Sequence, residues 1–102
     1  MDITTDGATL VLSGYFDGRS TAQVRDAIYE RLYGHDSDVV IDLSLVDSVD
    51  VTALKVLAAA TRNAERVGHH VRLRGCQPTV RRLLHLSRLA RAVEVERVAA
   101  PA

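Results

Sequence analysis

The run Val39-Val40-Ile41-Asp42-Leu43 is apolar except for one aspartate, and an alanine- and leucine-rich segment starts shortly after it at Val51. β-Branched residues in a short run read as a strand, and the longer segment has helical spacing, so this stretch predicts strand, turn and helix. An apolar run without regular polar alternation is expected to be covered on both faces, as a strand with parallel neighbours would be. That makes residues 39–43 the predicted central strand and the acidic stretch from Ser44 to Asp50 a predicted loop. The following helix, over about residues 51–67, is expected to bury a combination of Ala53, Leu54, Leu57, Ala58, Ala60, Thr61, Ala64 and Val67. Lys55, Arg62, Asn63 and Arg66 fall on its solvent side, and Gly68 is a natural stop.

Before this segment, the turn-like Asp6-Gly7 precedes β-forming residues interrupted by Gly14. A strand is expected over about 8–12 and a shorter one over 14–16. Ser20 or Thr21 is placed to cap a helix whose Ala22, Val24, Ala27, Ile28 and Leu32 form one apolar stripe, ended by Gly34. After Gly68, residues 70–74 alternate like a strand with one wet face, and Pro78 suits the first turn of a helix directing Val80, Leu83, Leu84 and Leu86 inward. Residues 92–96 alternate again, and 99–102 are expected to fray. The order β-β-α-β-α-β-α-β describes a single α/β domain over residues 1–98, with a mixed, mostly parallel sheet and about three helices.

A chain of 102 residues suffices for one hydrophobic core without staples. No apolar run approaches the roughly 18 residues of a membrane span, so no membrane insertion is expected. Met1–Asp6 lacks the basic and apolar regions of a signal peptide, which points to a cytoplasmic location. The single cysteine, Cys76, excludes an internal disulfide and reads as a packing residue. Residues 1–50 hold ten of the thirteen acids and three of the thirteen bases, so the halves carry −7 and +7. Tyr15, Phe16, Tyr29 and Tyr33 all lie outside the arginine-rich half, which leaves base stacking unsupported and argues against direct nucleic-acid binding.

Asp50 stands at the predicted N-cap, and Thr52 follows in the first turn, where free amides and the helix dipole favour an anion. A phosphoryl group on Thr52 would be partly compensated there, while Asp42, Asp47 and Asp50 would oppose it if close. A magnesium site from these acids is disfavoured, because Asp42 lies within the apolar run and no glycine-rich phosphate loop accompanies them. No metal and no cofactor are therefore expected. There is no Gly-x-Ser-x-Gly elbow and no cysteine with an evident base, and the adjacent His69 and His70 make a poor metal pair. Arg81 and Arg82, with Arg74 and Arg88, are expected to form a basic, solvated side of the third helix; a functional version of that face would be docking to an acidic protein partner.

The segment Val39-Val40-Ile41-Asp42-Leu43-Ser44, then Val46, then Val49-Asp50-Val51-Thr52-Ala53-Leu54, resembles the signature of STAS domains, the fold of bacterial anti-sigma factor antagonists. Leu12-Ser13-Gly14-Tyr15-Phe16-Asp17 resembles that family's early element and Leu83-Leu84-His85-Leu86-Ser87-Arg88-Leu89 its late leucine segment, so the likeness spans nearly the whole chain. Val51, Ala53, Ser48 and Arg88 depart from the family pattern.

The resemblance implies a STAS-like fold and a regulator of transcription that is not an enzyme. Residue by residue, the family's phosphorylated position falls on Thr52. Unphosphorylated, the chain would bind an anti-sigma factor that is a serine/threonine kinase of the histidine-kinase-like ATPase type, through Asp17, Asp50, Thr52 and Lys55. Phosphorylation on Thr52 would release it. The resemblance also allows a subunit or regulatory module of a membrane transport complex, with transporter subunits as partners, or a stressosome-like scaffold without phosphorylation.

Overall fold

In the computed structural model, which describes residues 1–96, the chain forms β1 (Asp2–Asp6), β2 (Thr9–Phe16), α1 (Thr21–Tyr29), β3 (Val39–Val49), α2 (Val51–Arg66), β4 (Val71–Arg74), α3 (Pro78–Leu86) and β5 (Glu94–Val95). A π-helical turn at Glu30–Gly34 prolongs α1, and a 3-10 turn at Ala90–Ala92 precedes β5. The five strands lie side by side in chain order, β1 antiparallel to β2 and the others parallel. This is the expected α/β domain with a mixed, mostly parallel sheet and three α-helices. Residues 97 and 98 of the expected domain, and the expected frayed tail 99–102, lie outside the described residues.

Strand register explains the core. Leu10, Ile41 and Leu73 are aligned across β2, β3 and β4, and all three are buried. Leu12, Val39, Leu43 and Val71 extend the same apolar face, against which α1 and α2 pack. The opposite face carries Val11, Asp42 and Arg74 in one row and Thr9, Val40, Arg72 and Glu94 in the next, none of them buried. β3 is therefore covered on one face only, and Val40 is half-buried, contrary to the expected two-sided burial. Charges on the open face pair locally: Arg74 Nε donates to Glu96 Oε2 at 2.7 Å, and this contact raises the arginine's pKa and lowers the glutamate's.

Three segments differ from expectation for identifiable reasons. Met1–Gly7 contains β1, an edge strand whose only apolar member is Ile3; Gly7-Ala8 is its hairpin turn into β2, one residue beyond the expected Asp6-Gly7. Gly14, at φ 102, bends β2 without ending it, and the register with β3 shifts on either side of it. Two predicted strands are thus one. Ser44–Val49 forms no loop but continues β3 beside Ser13–Phe16, with only Val46 buried.

The helices follow their apolar stripes with few exceptions. Ala22, Val67 and Leu86 are exposed, since each falls just off the buried arc at its helix end. Asn63 is half-buried instead of solvated: its Nδ2 donates to the Tyr29 hydroxyl at 2.6 Å, fastening α2 to α1. Thr61 is buried because its hydroxyl donates to the Leu57 carbonyl at 2.8 Å. Ser20 occupies the N-cap of α1 without capping it. Its Oγ accepts from the Asp17 amide at 3.1 Å and faces the Tyr15 and Asp17 carbonyls, each at 3.2 Å. Cys76 packs against the core, and burial pushes its thiol pKa up.

His69 ties the start of β3 to that of β4. Its Nε2 is 2.7 Å from Asp36 Oδ1 and its Nδ1 is 3.1 Å from Asp38 Oδ1. Two carboxylate acceptors require both ring nitrogens to donate, which favours imidazolium. The hydrogen bond with Asp36, followed in effect by that with Asp38, raises the His69 pKa; the His70 amide, then His69, lowers that of Asp38. A raised histidine stabilises the fold fully below its ordinary value of 6.5, and the gain is lost as pH rises through the folded value. The depressed Asp38 behaves oppositely, its gain fading as pH falls below the ordinary 3.8. Thermal melts are expected to show stability declining above pH 6.5, with the decline flattened in His69→Gln. An unchanged slope in that variant would assign the pH dependence elsewhere.

Candidate functional site

Asp50 organises the site. Its backbone is extended while α2 begins at Val51, and its Oδ1 accepts from the Ala53 amide at 2.8 Å, the N-cap bond the sequence suggests. A bond of this kind is worth about 1 kcal/mol to a helix. The second carboxylate oxygen, Oδ2, accepts from the Gly18 amide at 3.2 Å, and the Asp50 amide donates to the Phe16 carbonyl at 3.2 Å. One side chain therefore joins the β2–α1 loop to the start of α2.

That loop brings Asp17 and Gly18 to the helix. Asp17 is turned toward Arg19, accepting its backbone amide at 2.9 Å and its guanidinium at 2.9 Å, and these bonds lower its pKa. Its carboxylate is thereby engaged and half-buried. A Cβ on Gly18 would lie 3.9 Å from Thr52 Cγ2, so the loop backbone runs directly alongside the threonine.

Thr52 is exposed in the first turn of α2, and its hydroxyl has no hydrogen-bond partner among the described residues. A shallow groove beside it is lined by Arg25 and Tyr29 of α1 and by Thr52, Lys55, Val56 and Ala59 of α2. Lys55 lies one turn along the helix from Thr52, on the same face. Arg25 and Tyr29 are absent from the sequence-based site, because only the packing of α1 on α2 delivers them; their one advance signal is the four-residue spacing that puts both on one side of α1.

The structure separates the acids that the sequence groups together. Asp42 lies about 25 Å from Asp50 along the strand at strand rise. It sits on the open sheet face, where its Oδ1 accepts from the Ser44 amide at 2.9 Å and the Ser44 hydroxyl at 2.6 Å. Asp47 lines a different depression, with Ser48, Val49, Thr79 and Val80. No cluster of three or more histidine, cysteine or acidic side chains with metal-binding geometry occurs among the described residues. The positively charged Arg25 and Lys55, and not a ring of carboxylates, flank the groove at Thr52. Chemically, the site offers an accessible hydroxyl, a helix amino terminus and two cations.

No helix among the described residues is long and apolar enough to cross a membrane. The profile of a family described as "Mlab, STAS domain" matches residues 1–96. No curated protein matches the sequence. Among solved structures, the Thermotoga maritima protein TM1081 superposes with a TM-score of 0.77 at 18% identity, over 95% of this chain and 86% of that one. An anti-sigma factor antagonist from Mycobacterium paratuberculosis gives 0.67 at 28% identity, over 94% and 83%. The anti-sigma factor antagonist SpoIIAA in its unphosphorylated form gives 0.71 at 14% identity, over 96% and 88%.

Proposed function

Because the chain belongs to the STAS domain family, we propose that it is an anti-sigma factor antagonist working by partner switching. In the unphosphorylated state it binds an anti-sigma factor that is also its kinase, through the surface formed by Asp17, Asp50, Thr52 and Lys55. The kinase transfers the γ-phosphoryl group of ATP to the Thr52 oxygen: the bond to the bridging β–γ oxygen breaks, the bond from Thr52 Oγ1 to phosphorus forms, and the hydroxyl proton leaves. The added charge of about −2 ends the complex. In this reaction the chain is substrate and ligand, and the cofactor belongs to the kinase.

The observation that carries this reading is the exposed, unpartnered Thr52 hydroxyl at the amino end of α2, beside Lys55 and Arg25. The first-turn amides and Lys55 stabilise a phosphoryl group there, Arg25 lying 3.4 Å from its own partner Asp26, while exposure gives a kinase access. Val51 and Ala53 leave Thr52 as the one hydroxyl in that turn. The likeness to antagonists that include SpoIIAA, solved in both unphosphorylated and phosphorylated forms, supports the same cycle.

The experiment is incubation with candidate cognate kinases and ATP, followed by intact mass measurement. Wild type is expected to gain one phosphoryl group and Thr52→Ala none. Phosphate retained in Thr52→Ala would move the site elsewhere. Wild type that takes no phosphate and co-purifies with transporter subunits would replace the switching role with that of a transport-complex module.

A further inference from the structure

We propose that the groove at the carboxyl end of α3 is a docking site for an acidic peptide segment, bearing an apolar anchor, on a protein partner. His85, Arg88, Ala90 and Arg91 line it, and an adjoining depression adds Arg81, Leu84 and Val95. Among the described residues, no carboxylate lines either one. The arginine on β4 that the sequence grouped with this face, Arg74, lies instead on the open sheet face with Glu96; Arg91 takes its place here.

Internal pairing leaves these cations unspent. Among the described residues Arg19, Arg25 and Arg74 have carboxylate partners, whereas Arg81, Arg88 and Arg91 have none. The acids of β5 and its end are already engaged, Glu94 by His70 and Glu96 by Arg74, and the one other acid beside Arg91 among the described residues, Glu65, lies in the next depression with Arg62. A groove whose charged side chains, among the described residues, are all cations is complementary to carboxylates from outside the chain.

The backbone adds an independent reason. Arg88 has φ 62, in the left-handed region, where the helix is closed by the Leu89 amide on the Leu84 carbonyl at 2.9 Å and the Arg88 amide on the His85 carbonyl at 3.1 Å. Glycine occupies such a helix-ending position without strain, and any other side chain is penalised. Arginine at this point works against the fold, while its charge completes the groove.

The geometry selects the occupant. The helix dipole opposes any anion at the carboxyl end of α3, so the arginines must supply the attraction, and no free amides converge there to hold a compact phosphate. Cations spread along a groove suit carboxylates spaced along a peptide, and the half-buried Ala90 and Val95, over the buried Leu84, provide apolar surface for one aliphatic side chain. The site is separate from Thr52: Arg62, which shares the next depression with Arg91, is about 15 Å along α2 from the threonine.

The test uses the isotope-labelled full chain titrated with a short peptide alternating acidic residues and leucine, followed by amide chemical shifts. A peptide with the acids replaced by their amides is the control, and pyrophosphate and phosphatidylglycerol vesicles are competitors. Shifts are expected at His85, Arg88, Ala90 and Arg91. Arg88→Gly is expected to weaken binding about tenfold, a change of about 1.4 kcal/mol, while its melting temperature rises because glycine relieves the backbone. Arg91→Gln is expected to weaken binding without that rise. Shifts clustered elsewhere, undiminished affinity in both variants, or equal binding of the amide peptide would overturn the proposal. Displacement by pyrophosphate or vesicles at matched charge would overturn it as well, by marking an unselective anion surface.

Discussion

Phe16→Ala is expected to destabilise the domain by about 3–5 kcal/mol, the range for removing a fully buried aromatic side chain from a core. Phe16 ends β2, is 0% exposed, and holds the Asp50 amide on its carbonyl. Small domains have roughly 5–15 kcal/mol of stability in all, so this one substitution removes much of the margin. The cavity would open beneath the loop of Asp17 and Gly18, and the site would loosen together with the core. Urea denaturation measures the loss, and Tyr15→Ala is the matched control: Tyr15 is 63% exposed, so its removal should change stability by about 0.5 kcal/mol or less. Equal losses in the two variants would show that burial of Phe16 is not what anchors the end of β2.

The second large effect concerns binding. If the proposed switch operates, Thr52→Glu is expected to weaken association with the proposed anti-sigma factor partner about a hundredfold relative to wild type, corresponding to about 3 kcal/mol. An unfavourable charge placed within a closed interface costs several kcal/mol, and a carboxylate at Thr52 would also draw Lys55 and Arg25 toward itself and away from the partner. Lys55→Ala separates these causes, since it removes the cation without adding an anion; its effect should be smaller. Calorimetry with the purified partner gives both values. Affinity unchanged in Thr52→Glu would remove the switch from the mechanism even if Thr52 were phosphorylated.

The strongest helical and strand patterns in the sequence correspond to real elements because local chemistry and tertiary packing agree there. The helix α2 has an unbroken apolar arc from Ala53 to Ala64, with Asp50 before it and Gly68 after it. Ser44–Val49 was illegible for the opposite reason. Its serines and aspartate favour a loop, and only pairing with the bent β2 holds it extended. β1 was illegible because an edge strand with a single apolar residue has no periodicity to read. At the site, the Asp50 cap depends on a residue three positions away and could be read from spacing. Its bond to Gly18 spans 32 positions, and the approach of Arg25 to Thr52 depends on one helix packing on another. Contacts of that kind have no local signature.

The strands stand in space in the order in which they occur along the chain. During synthesis each strand therefore meets a partner that has already emerged, and the growing edge of the sheet is always the strand made last. None has to be inserted between two others already paired. The β1–β2 hairpin forms from neighbouring residues, and each later step closes a single helical crossover, which keeps loop-closure costs small. Assembly can thus proceed from the amino end toward the carboxyl end.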